Sequence, residues 1–143
     1  MSHRIISDED TECIFVRFED KVTLDEILDV IDLLVAEPAY RAITRRLHDY
    51  SRADGTLSAA EVKRLAAHIR TTRSSLTTAE QEQRRSAALL SSDLKFGLGR
   101  MAAAFFEGPS GNPFTDFHVV RTYAEAAEYL GLPSPDYDPF ERP

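Results

Sequence analysis

Tryptophan is absent, cysteine occurs once, and no apolar run approaches the length of a membrane span. The last absence excludes a transmembrane helix, which needs about 20 predominantly apolar residues. A lone Cys13 excludes an internal disulfide framework. The opening MSHRIISDED lacks the apolar core of an export signal, so cytoplasmic residence is the expectation. Glycine is sparse, and four of the seven prolines crowd into residues 132–143. That stretch is expected to be a Pro-rich tail, either a strap ordered on contact or disordered, following one domain over residues 1–131.

What is present is an ordinary globular balance. With 43% hydrophobic and 29% charged residues in 143 positions, one domain can bury roughly 68–70% of its unfolded surface. Charge is unevenly spread: residues 1–40 carry three basic and eleven acidic groups, and residues 41–85 carry ten and five. The basic middle reads either as a surface for an anionic partner or as arginines solvating helix and loop faces. Arg41, Arg45, Arg46, Arg64, Arg70, Arg73, Arg84 and Arg85 are expected in the second role. No aromatic interleaving or nucleic-acid motif accompanies them.

Thr23/Glu26, Ser58/Glu61 and Thr122/Glu125 each have capping-box spacing before an apolar run of period 3.6. Each follows a β-like segment, which implies alternating strands and helices. Strands are predicted near 3–7, 12–19, 43–50, 86–91 and 116–121, and helices near 23–36, 58–72, 93–107 and 122–130. The acidic turn at residues 8–11 predicts an antiparallel hairpin. The turn Ala53-Asp54-Gly55 is expected to close the third strand, and Gly131 to stop the last helix. The fold class is therefore α/β: one mixed five-stranded sheet in ββαβαβαβα order, its later strands parallel.

Chemistry-bearing residues do not converge. His48-Asp49-Tyr50-Ser51 holds the residue types of a hydrolytic triad, but strand alternation sends His48 and Tyr50 to one face and Asp49 and Ser51 to the other. The four histidines lack metal-ligand spacing. Gly97-Leu98-Gly99-Arg100-Met101-Ala102 matches a dinucleotide fingerprint, yet its glycines fall inside the predicted helix at 93–107 instead of in the turn before it. They point to close backbone packing. No catalytic residue, cofactor or metal is expected. The loop Asp54-Gly55-Thr56-Leu57-Ser58 is more suggestive, because it joins a strand's carboxyl end to a helix N-terminus. There Ser58 is either a cap alone or, with Thr56, a phosphorylation site. Phe105, Phe106, Phe114 and Phe117 crowd one region, which points to an exposed aromatic patch at Phe106 and Phe114 and to a homodimer.

This order, with an Asp-ending third strand and a hydroxyl-bearing loop before the second helix, resembles the STAS-like domains, named for sulfate transporters and anti-sigma-factor antagonists. The likeness covers about residues 3–131, and RRSAALLSSDLKFGLGRM at 84–101 is similar to a recurring stretch in small bacterial relatives of that group. The resemblance implies a non-catalytic module acting through protein contacts and sometimes switched by phosphorylation. The family's D-S-[ST]-G motif departs here, since no Ser stands between Asp54 and Gly55. Thr56 and Ser58 carry over as candidate regulatory, phosphorylation residues, and Asp54 is a candidate for the interaction surface. An unidentified protein partner is expected, with no nucleic acid and no membrane insertion. A small apolar-ligand (lipid-like) binder and an enzyme of another kind stay open as alternatives.

Overall fold

The computed structural model describes residues 3–54, 57–77, 79, 84–90 and 117–141. Strand β1 (His3–Asp8) and strand β2 (Cys13–Lys21) form the hairpin, followed by helix α1 (Leu24–Ala36) and the single turn α2 (Pro38–Arg41). Strand β3 (Arg45–Asp54), helix α3 (Ala59–Ser74), strand β4 (Arg85–Leu89), strand β5 (Phe117–Val120) and helix α4 (Tyr123–Leu130) follow among the described residues, and a 3₁₀ turn lies at Pro139–Glu141. The five strands form one sheet in the order β1-β2-β3-β4-β5, antiparallel in the first pair and parallel thereafter. The predicted helix 93–107, with Gly97, Gly99, Phe105 and Phe106, lies outside the described residues.

Helix starts follow their capping residues. The amide of Glu26 donates to Thr23 Oγ1 at 3.3 Å, that of Glu61 to Ser58 Oγ at 3.1 Å, and that of Glu125 to Thr122 Oγ1 at 3.2 Å. Only the Ser58 box closes in both directions, with the Ser58 amide donating to Glu61 Oε1 at 3.0 Å. At the first box His3 Nδ1 engages the Glu26 carboxylate at 2.6 Å and ties β1 to α1. Pro38 cannot extend α1 and instead opens α2. Gly131 takes the left-handed conformation (φ 70°) that ends α4.

The sheet is covered on both faces, so β2 buries every residue from Cys13 to Phe18. One face carries Ile14, Val16 and Phe18 against Ile27, Val30 and Leu34 of α1. The other carries Cys13, Phe15, Leu47, Ala87 and Leu89 against Ala126 and Leu130 of α4. Residues 132–141 cross this second face as an ordered strap, with Tyr137 and Phe140 packed on its core. Burial pushes the Cys13 thiol up to about 12, so it sits there as a small hydrophobe.

Two expectations need correction. First, β3 runs past residue 50 to Asp54, so Ala53 and Asp54 are strand and not turn. Pairing continues because Glu19, Asp20 and Lys21 of β2 oppose Arg52, Ala53 and Asp54 beyond a register shift. Between the Arg17–Asp49 and Glu19–Arg52 pairs β3 spends one residue more than β2, which is a bulge. The extra residue reverses the facing that strict alternation would give, and Ala53 joins the α1 face.

Second, the basic middle is only partly a solvated surface. Arg46 and Arg84 are buried. Five arginines donate to main-chain carbonyls: Arg41 to Ser75, Arg45 to Leu130 and Thr11, Arg46 to Tyr40, Arg84 to Arg41, and Arg85 to Tyr129. They satisfy carbonyls where helices and turns end, a need propensity alone leaves open. Arg45 joins the hairpin turn to the end of α4, with a 2.7 Å bond to the Leu130 carbonyl. Arg45→Ala should therefore lower the unfolding free energy by roughly 2 kcal/mol. Urea denaturation checks this, and Arg45→Lys should recover only part of the loss, because one ammonium cannot span both carbonyls.

Candidate functional site

Asp54 pairs in register with Lys21 and is exposed, and Ser58 is exposed with its hydroxyl committed to the Glu61 amide. Thr56 lies outside the described residues, as do Phe106 and Phe114, and the Phe117 side chain is not described either. Asp49 is 3% exposed and lies on the opposite face from α1 and α3. Asp54 and Ser58 thus flank the segment before α3, and Asp49 lies apart from them on the other face.

Asp49 belongs to a polar cluster beneath the strap. Arg17 of β2 sits beside it in the ladder, and Arg17 Nε donates to Asp49 Oδ2 at 3.1 Å with both side chains 5% exposed. Asp49 Oδ1 accepts from the Ser51 amide at 2.8 Å and from the Ser51 hydroxyl at 2.5 Å. The bulge frees the Ser51 amide from the ladder, and the carboxylate of Asp49 takes it up. Arg17 Nη2 reaches Asp138 Oδ2 of the strap at 3.0 Å. Burial opposes the Arg17 charge, but the bonds to Asp138 and Asp49 outweigh it and hold its pKa above the usual value.

Around this centre the strap is fastened by side chains. Tyr137 Oη donates to Asp8 Oδ2 at 2.5 Å, and Thr11 donates to the same oxygen at 2.6 Å. Tyr123 of α4 donates its hydroxyl to the Tyr137 carbonyl. Burial beneath the strap, with Asp138 close by, drives the Tyr123 pKa upward, so the phenol stays a donor. The Arg17 guanidinium lies 4.5 Å from the Phe140 ring centroid and that of Arg4 lies 5.0 Å from it.

His48 faces away from this cluster, on the side of Arg46 and Tyr50. Tyr50 stacks on Phe18 with ring centroids 4.7 Å apart, and its phenol pKa is raised by burial. Burial and the Arg46 charge lower the His48 pKa to about 4. The tetrad His48-Asp49-Tyr50-Ser51 is thus divided between two layers, as alternation requires. Among the described residues no group of three His, Cys, Asp or Glu could hold a metal ion, and no helix is long and apolar enough to cross a membrane. His68 bonds Asp32 at 2.7 Å and links α3 to α1.

The Arg17 cluster has a sequence signal that residue-by-residue motif reading passes over. An arginine in the middle of Cys13-Ile14-Phe15-Val16-Arg17-Phe18 is buried if that strand is central, and a buried guanidinium requires a carboxylate partner. Comparison with known families and with curated proteins gives no match for this chain.

Asp49→Ala should be strongly destabilising, by roughly 3–5 kcal/mol, since it leaves Arg17 buried with only the strap for a partner. Ser51→Ala should cost far less, about 1 kcal/mol, and chemical denaturation of both variants checks the order. His48 supplies a separate test. The unfolded chain binds a proton below about pH 6.5, whereas the folded His48 does so only below about 4. Stability therefore falls as pH drops through that window, by up to about 1.4 kcal/mol per unit. Between pH 7 and pH 5 the stability gap between wild type and His48→Gln should shift by about 2 kcal/mol in favour of the variant, as read by urea unfolding at both pH values.

Proposed function

We propose that the protein is a non-catalytic regulatory module of the STAS-like type that acts by binding another protein, with the loop of Asp54, Thr56 and Ser58 as its contact and switch. The observation that carries this reading is the position of Ser58. It is exposed at the first turn of a 16-residue helix that follows the carboxyl end of a central parallel strand. The mixed sheet, with its N-terminal hairpin and parallel βα units, supports the same reading, because it is the architecture the family resemblance implies. A phosphate on Ser58 would meet the positive end of the α3 dipole and add close to two negative charges beside Asp54. The fold would tolerate it while the electrostatic face shown to a partner changed.

The test separates cap from switch. Ser58→Ala should lower stability by about 1 kcal/mol through loss of the cap, and Ser58→Asp should leave stability near wild type. Affinity capture with wild type, Ser58→Ala and Ser58→Asp in parallel should then show a partner retained by the first two and lost, or gained, with the third. Identical capture by all three proteins refutes the switch.

A further inference from the structure

We infer that Arg17 is a carboxylate-recognition residue and that Asp138 of the C-terminal strap is its built-in, displaceable occupant. The inference does not rest on the Ser58 reading. Of the three Arg17 nitrogens, Nε is committed to Asp49 of the neighbouring strand and Nη2 to Asp138, which is 121 residues away in sequence. Nη1 is buried and has no hydrogen-bond partner among the described residues. The outer edge of the guanidinium, Nη1 with Nη2, is the fork that binds a carboxylate through two parallel bonds. Asp138 fills only half of it.

The reason lies in the strap itself. Asp138 Oδ1 accepts the Phe140 amide at 2.9 Å, so only Oδ2 is turned to Arg17. A carboxylate free of that tether could engage both nitrogens. The charge balance favours exchange as well. Arg17 and Asp49 form a neutral pair within the sheet, so departure of Asp138 strands no unpaired charge there. The strap is also built to move as a unit. It begins at Gly131 in the left-handed conformation and passes through Pro133 and Pro135. Its main-chain amides bond within itself or to the end of α4, its Tyr137 carbonyl accepts the Tyr123 hydroxyl, and the sheet holds it through the side chains of Tyr137, Asp138, Phe140 and Glu141. Arg17 is the middle residue of β2, and its partner Asp49 lies level with Leu89 at the carboxyl end of β4, toward the side on which open α/β sheets receive ligands. The incoming carboxylate comes either from a free small acid or from an acidic segment that takes the strap's path.

The full-length Asp138→Ala variant tests this, using acetate as the free acid and a synthetic peptide of residues 132–143 as the segment. Strap amides in Asp138→Ala should exchange with deuterium about tenfold faster than in wild type. Acetate should raise the variant's thermal midpoint saturably, beyond any effect of chloride at equal ionic strength, and should leave wild type unmoved. Arg17→Lys added to Asp138→Ala should abolish the response, since an ammonium lacks the fork. A response to acetate identifies a free acid, and peptide binding without an acetate response identifies a segment. Neither response, or a response that survives Arg17→Lys, overturns the inference. If Asp138→Ala does not fold, Asp138→Asn decides: strap exchange several-fold faster than wild type supports the displaceable contact, and unchanged exchange overturns it.

Discussion

A guanidinium placed inside a sheet that is covered on both faces must be neutralised where it stands. Arg17 is that group, and much of the fold beyond β2 answers to it. An isolated buried charge costs several kcal/mol even after relaxation, so β3 must bring a carboxylate into register with β2. Asp49 does so. Its second oxygen would then be left without a partner, and the bulge at Tyr50–Ser51 supplies the Ser51 amide and hydroxyl. The strap completes the set with Asp138. Strand register, bulge and C-terminal path are thus linked through one side chain.

The two sheet faces solve the problem of coverage by different means. On the α1 face burial is apolar, with Ile14, Val16 and Phe18 under Ile27, Val30 and Leu34. Hydrophobic burial there needs no orientation and tolerates small shifts. On the strap face, among the described residues, β1 and β2 are covered by residues 132–141, fastened by directional polar contacts to Asp8 and Arg17. Tyr137 and Phe140 supply the apolar contact with Phe15, at ring-centroid distances of 6.1 and 6.5 Å. Directional contacts are more easily broken one at a time than a packed helix face, so the two covers differ in how they open.

The elements whose cause is local were legible in the sequence. Thr23, Ser58 and Thr122 mark helix starts because each side chain serves its own first turn, and Gly131 marks a stop because left-handed backbone favours glycine. Small apolar residues at Ser86–Leu89 identify a strand buried on both faces for the same local reason. What escaped depends on contacts distant in sequence. The extension of β3 to Asp54 is driven by Glu19–Lys21 of another strand, and nothing in Ser51-Arg52-Ala53-Asp54 alone announces it. The arginines at 41, 45, 46, 84 and 85 look like surface charge until the carbonyls they serve are in place. For the candidate site, the capping role of Ser58 was legible from its spacing to Glu61, whereas the burial of Asp49 required knowing which face the strap would cover.

Those contrasts bear on how one small sheet could serve two binding roles. Ser58 caps the start of a helix through its reciprocal bonds with Glu61, and Asp54 ends a central strand. Arg17 sits behind a cover made of the chain's own terminus, so an anion there must compete with Asp138 at the high effective concentration of an intramolecular group. The first arrangement favours fast recognition tuned by charge on the surface. The second makes occupancy depend on the balance between strap and ligand, and removal of the strap leaves the neutral Arg17–Asp49 pair intact. Because β3 supplies both Asp49 and Asp54, five residues apart in sequence and separated by the bulge, a change of register in that one strand would move both sites together.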